Sequence, residues 1–131
     1  MHFATTLFAA VLALLPSVQA EIPPGNWMQL DCYVGYVYKD GQMLDTNHNL
    51  HYDWQLTAQA CNNNYASSVA KYSIGRGRCI AYTSDGLNGA DWWENCKKQA
   101  QNGWYDVDRI TGDVVINGSP YKAYDAEGRG Y

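Results

Sequence analysis

The residues best suited to chemistry are residues 45–53, which read Asp-Thr-Asn-His-Asn-Leu-His-Tyr-Asp. His48 and His51 with Asp45 or Asp53 have the composition of a transition-metal site or a general acid–base pair, because imidazole binds late divalent metals and changes charge near neutral pH. Asp45, Asn47 and Asn49 also match the first, third and fifth positions of a calcium-binding loop. The match then fails. Leu50 stands where the sharp turn needs glycine, and Leu56 where a bidentate glutamate closes the coordination sphere. The expectation is a solvated polar loop, with no metal and no other cofactor.

A second group is cationic. Gly75-Arg76-Gly77-Arg78 places two guanidinium groups on one short loop, with Lys71 nearby. Arginine grips carboxylate and phosphate through paired N–H donors, so Arg76 and Arg78 are candidates for receiving an acidic group from a partner. A third group is aromatic. Trp27, Trp54 and Trp104 adjoin turn-forming residues, and Trp92 and Trp93 are consecutive on an expected helix. Successive helical side chains point about 100° apart, so these two cannot both face the core. Tyr and Trp combine apolar area with a hydrogen-bonding tip, which suits half-exposed binding surfaces and stacking on sugar rings. The candidate binding residues are therefore Arg76, Arg78, Trp54, Trp92 and Trp104.

A secreted endonuclease needs a carboxylate base, an imidazole acid and an arginine for the phosphate. Glu94 or Glu127, His48 or His51, and Arg76, Arg78 or Arg109 supply those types. Small, acidic, Tyr-rich guanyl-specific ribonucleases of fungi are similar in bulk composition. Their Tyr-Pro-His and Tyr-Glu-Gly segments do not occur here, and Glu94 is expected to serve a helix cap. No nucleophile elbow, phosphate-binding loop or dinucleotide fingerprint is present, so no residue is assigned a catalytic role.

These groups must be held by a small fold. Residues 7–15 form an apolar run far short of the roughly 20 residues that span a bilayer, and Val18-Gln19-Ala20 offers small residues for a signal peptidase. Residues 1–20 read as a signal peptide, and residues 21–131 as a single secreted domain. Removing the leader from 131 residues leaves 111, which retain all 5 Trp, all 11 Tyr and the net charge of -4. That length buries one core, and the acidic balance argues against nucleic acid as partner. No membrane insertion is expected, and the protein should be a monomer.

In an exported chain, Cys32, Cys61, Cys79 and Cys96 are expected to form two disulfides. Residues 30–38 alternate as a strand, and residues 78–83 form a second strand. Thr57 is placed to cap a short helix from Ala58 to near Asn63, and Asp91 with Glu94 to cap a second helix over residues 91–101. Residues 42–49 should be loop. Asp40-Gly41 and Thr111-Gly112 mark turns. Residues 121–125 should form a last short strand, and the Gly-rich residues 127–131 should fray. The fold class is α+β: a small antiparallel sheet with two short helices, stapled by disulfides. Pairing like elements favours Cys32–Cys79 with Cys61–Cys96 over the nested Cys32–Cys96 with Cys61–Cys79.

The leader, the short mature chain and these four cysteines without a catalytic signature resemble, in layout, the small secreted cysteine-containing proteins of filamentous fungi. Many of those are effectors delivered to a host plant. The resemblance implies a secreted, non-enzymatic interaction protein that acts on a host protein or cell-wall glycan, outside the host cell or after entry. A carbohydrate-binding protein is the alternative, and a small ribonuclease-like hydrolase stands behind it.

Overall fold

The computed structural model describes residues 22–45 and 49–131, so the leader, Asn47 and His48 lie outside the described residues. In chain order the elements are β1 (Asn26–Trp27), β2 (Gln29–Val34), β3 (Val37–Lys39), β4 (Gln42–Asp45), β5 (His51–Tyr52) and α1 (Trp54–Asn64). There follow β6 (Ala70–Ser73), β7 (Arg78–Ala81), β8 (Leu87–Asn88), α2 (Gly89–Asn102), β9 (Asp106–Val107), β10 (Val114–Val115) and β11 (Ala126–Gly130).

The main sheet has five strands in the order β11-β2-β7-β6, with β5 paired to the end of β2. Every pairing in it is antiparallel. Two split β-α-β units interlock: β2-α1-β6 brackets β7, and β7-α2-β11 brackets β2. This is the α+β architecture expected from the sequence, an antiparallel sheet with two helices and two disulfides.

Both helices lie on one face. Leu30, Cys32 and Val34 alternate along β2 and are wholly buried beneath them. The bridges are Cys32–Cys96 and Cys61–Cys79, the nested pairing, so the expected interleaved pairing is corrected. The reason is register. Leu30 sits opposite Cys79, which leaves Cys32 diagonal to Cys79 at roughly 7 to 8 Å, beyond the reach of a disulfide. Cys32 and Cys79 both point up at the helices, and each therefore binds the helix above it.

Other expectations change for local reasons. Asp53, not Thr57, caps α1, its Oδ1 accepting the Leu56 N–H at 2.8 Å. Thr57 instead lies inside the helix, where its Oγ1 donates to the Asp53 carbonyl and accepts the Cys32 N–H. Asn62 and Asn63 are tolerated at the helix end because their amides bond outward, to the Tyr72 N–H and to Gln99. Asn88, not Asp91, caps α2, its Oδ1 accepting the Asp91 N–H at 3.0 Å. Residues 42–45 pair with β3 across the Asp40-Gly41 turn, where a loop was expected. Residues 121–125 contribute only isolated bridges, Tyr121 to Trp104 and Lys122 to Tyr38.

The largest departure is residues 127–131. Their glycines do not fray the chain but let it approach α2: a Cβ on Gly128 would lie 2.5 Å from the Trp92 ring and 2.9 Å from the Trp93 Cα. Gly130 lies equally close to the Trp27 ring. The segment is β11, hydrogen-bonded along most of β2.

Candidate docking site on the open face of the sheet

Alternation puts the complementary residues of the same strands on the face without helices. Across the sheet, Arg129 stands opposite Asp31 and Glu127 opposite Tyr33. Tyr52 flanks Tyr33 on the other side, and Arg78 reaches Asp31 from β7. One row thus reads arginine, aspartate, arginine, and the next reads glutamate, tyrosine, tyrosine.

Each arginine on this face lies over a tyrosine ring. The Arg78 guanidinium is 3.6 Å from the Tyr131 ring centre, and that of Arg129 is 3.8 Å from the Tyr33 ring centre. The hydroxyls of Tyr33 and Tyr131 meet at 3.2 Å. Arg129 also donates to Glu127 Oε1 at 2.9 Å, and Arg78 to Gln29 Oε1 at 3.1 Å. Stacking and hydrogen bonding together fix both guanidinium planes before any partner arrives.

Asp31 is sealed beneath them, with its side chain 5% exposed. Its Oδ1 has no hydrogen-bond partner among the described residues, and its Oδ2 is 3.8 Å from Arg78 Nε. Burial pushes its carboxyl up to about 6, while the Tyr131 hydroxyl, Arg78 and Arg129 draw it part of the way back. A carboxyl of that pKa between two guanidinium groups has the types of a general base beside a phosphate clamp. A base must reach its proton, however, and this carboxylate is covered by the groups that would clamp the substrate.

The face continues to a pocket at its edge. Tyr33 meets Tyr52 edge-on at 6.1 Å, and Tyr52 lines a cavity of about 140 Å³ with Trp54, Tyr72, Ile74, Gly77 and Arg109. The Tyr52 hydroxyl is within hydrogen-bond distance of the Tyr72 hydroxyl and donates to the Gly77 carbonyl. Burial raises the pKa of both hydroxyls, so both stay protonated at neutral pH. Gly77 is required here: its φ is +69°, and a Cβ would meet the Tyr52 hydroxyl at 3.0 Å. Arg109 arrives from the far side. Gln55 and Gln59 of α1 bind the backbone of Val107 and Tyr105, which anchors β9 and aims the following turn at the pocket. The Arg109 guanidinium then lies 4.7 Å from the Trp54 ring centre.

The candidates from the sequence are divided by this arrangement. Arg78 is on the open face, Arg76 is exposed on the adjoining turn, and Trp54 walls the pocket. Trp92 and Trp104 are wholly buried and belong to the core, and Gly128 of β11 brings the backbone directly against Trp92. Trp92 also donates to the Asp31 carbonyl at 2.8 Å. His51 hydrogen-bonds through Nδ1 with the Asn49 carbonyl, and Asp53 is committed to its cap. No group of three or more metal-ligating side chains occurs among the described residues. Of the residues offered for the nuclease reading, Glu94 lies on α2 and Arg109 on the β9–β10 turn, while Glu127 and Arg78 lie on β11 and β7, the strands flanking β2.

Asp31, Tyr33, Tyr52, Arg129 and Tyr131 were not singled out from sequence, and Glu127 was named only as a candidate nuclease base. The signal was there in the alternation: Leu-Asp-Cys-Tyr-Val and Glu-Gly-Arg-Gly-Tyr each place apolar or small residues on one face and polar or aromatic ones on the other. No protein-family model, curated protein or solved structure matches the chain. No helix among the described residues is long and apolar enough to cross a membrane.

Proposed function

We propose that this protein is a secreted, non-enzymatic interaction protein that docks a partner protein on the open face of its sheet. The observation that carries this reading is the stacking of Arg78 and Arg129 on Tyr131 and Tyr33, on a face the helices leave free. Tyr, Trp and Arg dominate the energetics of protein interfaces, and rigid side chains lose little entropy on binding. In the setting that the leader and the layout imply, the partner belongs to a host, and the role is that of an effector.

A carbohydrate-binding reading draws less support. Stacking on sugar needs an open indole face, yet Trp92 and Trp104 are buried, Lys97 lies over Trp93, and Arg109 lies over Trp54. Trp27 packs on Gly130.

The test is capture from host extract by immobilised residues 21–131, compared with an Arg78→Gln/Arg129→Gln variant that keeps a hydrogen-bond donor at each site. A host protein retained saturably by the wild type, and at least ten-fold less by a variant that is folded under the assay conditions, supports the reading. Equal capture by both, or binding of a polysaccharide and no protein, overturns it.

A further inference from the structure

Resting on that reading of the open face, we infer that the pocket between Tyr52, Trp54, Tyr72 and Ile74 takes one aliphatic side chain from an acidic peptide segment of the partner. Size comes first. The cavity of about 140 Å³ is close to the roughly 150 Å³ of an apolar cavity that accepts a benzene-sized group, so it holds one side chain and no more.

Chemistry of the walls comes next. The Tyr52 hydroxyl contacts the Tyr72 hydroxyl and the Gly77 carbonyl, so these polar atoms bind one another. Apart from the Arg109 guanidinium, which lies over the Trp54 ring, the rest of the lining is ring surface and the Ile74 side chain, 41% exposed. Such walls favour an apolar group, since a polar one would leave water without finding a partner.

Charge at the rim selects its neighbours. Arg109 overhangs the pocket, Arg76 is exposed on the 73–77 turn, and Arg78 begins the open face. Lys71 lines the hollow on the other side of Tyr72 and Ile74, together with Asp113. Asp53 Oδ1 accepts the Leu56 N–H and Asp108 Oδ1 those of Ile110 and Thr111, so the rim carries charges of both signs. Arg109, which lines the pocket, makes no ion pair among the described residues, and its guanidinium is left to meet a carboxylate beside the occupant's aliphatic group. Ile110, 93% exposed beside Arg109, extends the apolar contact outward.

The probes are three capped peptides: acetyl-Asp-Leu-Asp-amide, acetyl-Asp-Ala-Asp-amide and acetyl-Lys-Leu-Lys-amide. Each is titrated into the isotope-labelled protein while amide and indole N–H resonances are followed. The acidic leucine peptide should shift Trp54, Ile74 and Gly77 saturably, and the other two should bind at least ten-fold more weakly. An Ile74→Asp variant, changed at an exposed position, should lose the effect while keeping its remaining spectrum. Equal affinity for the three peptides, shifts centred elsewhere, or no saturable shift would overturn the inference. A host protein captured through Arg78 and Arg129 but indifferent to Ile74→Asp would overturn the pocket and leave the face standing.

Discussion

The two faces of the sheet are made by the same strands and obey different demands. Beneath the helices, β2 presents Leu30, Cys32 and Val34, and β11 presents Gly128 and Gly130, small or apolar groups that close packing requires. One residue along, β2 presents Asp31 and Tyr33, and β11 presents Glu127 and Arg129. The first face is bonded covalently to what covers it. The second is organised by stacking and hydrogen bonds that leave the arginines partly exposed above the buried Asp31 and Glu127. On the proposed reading of the open face, stability and recognition are separated by a single step along the chain, so each can be altered with limited effect on the other.

Removing the Cys32–Cys96 bridge by a double alanine substitution should show the largest effect. It closes a loop of sequence separation 64, worth about 4 kcal/mol in the chain-entropy estimate. Denaturant unfolding under non-reducing conditions measures the loss. At temperatures where the variant stays folded, its open face should bind as before, and impaired binding there would break the separation.

Asp31 tests the boundary, because it faces the open side yet is buried. Its carboxyl is raised from 3.8 to about 6, so the folded state holds the proton more tightly than the unfolded chain. The associated stability is complete below pH 3.8 and is lost as pH rises through about 6. A difference of that size between folded and unfolded chain corresponds to about 3 kcal/mol. Asp31→Asn should therefore raise the unfolding midpoint at neutral pH, leave it nearly unchanged in acid near the ordinary carboxyl pKa, and flatten the profile between. A midpoint that falls at neutral pH would show that the ionised pair with Arg78 outweighs the burial of the charge.

Gly128→Ala forces a methyl group against Trp92 and the Trp93 backbone, and overpacking of this kind costs about 2 kcal/mol. Gly75→Ala is the control, since a Cβ there meets nothing within 4 Å. Thermal unfolding of the two variants separates close approach from any general intolerance of glycine replacement.

The smallest change in stability should follow Arg78→Gln. Arg78 is one-third exposed but its partner Asp31 is buried, so losing the arginine leaves a buried carboxyl less well compensated, at a cost of about 1 kcal/mol. Partner binding should weaken at least ten-fold in the same variant, measured by calorimetry or surface capture. A large loss of stability with intact binding would reverse the roles assigned to the two faces.

Sequence reasoning reached the features that depend on local pattern. The alternation of β2, the body of α2 and the Asp40-Gly41 turn follow from periodicity and turn chemistry, and the α+β class follows from them. It missed what depends on neighbours distant in the chain. Gly-Arg-Gly reads as flexible until Trp92 and Trp27 are seen to occupy the missing Cβ positions. The disulfide pairing follows from the Leu30–Cys79 register, which no spacing reveals. For the site, Arg78 and Trp54 were reached by residue type. Trp92 was misplaced because neither its neighbour Trp93 nor helical spacing says which indole turns inward. Asp31 was passed over because a single acid in a strand looks ordinary until β11 and β7 bring an arginine to each side of it.

The nested pairing of the cysteines has a consequence for the order of assembly. Cys61 and Cys79 are 18 residues apart, and both lie inside the span closed by Cys32 and Cys96. Shorter loops close at lower entropic cost, so the inner bridge can form once α1 and the β6–β7 hairpin meet. It does not obstruct the outer one. An emerging chain can therefore oxidise from the inside outward, locking one split β-α-β unit before the other exists. β11 must then find β2 across almost the full length of the domain, a contact of high sequence separation that belongs late in folding. Arg129 and Tyr131 ride on that strand, so the proposed docking surface is completed in the final step. A molecule halted before that step would have its inner disulfide and much of its core, and only part of its open face.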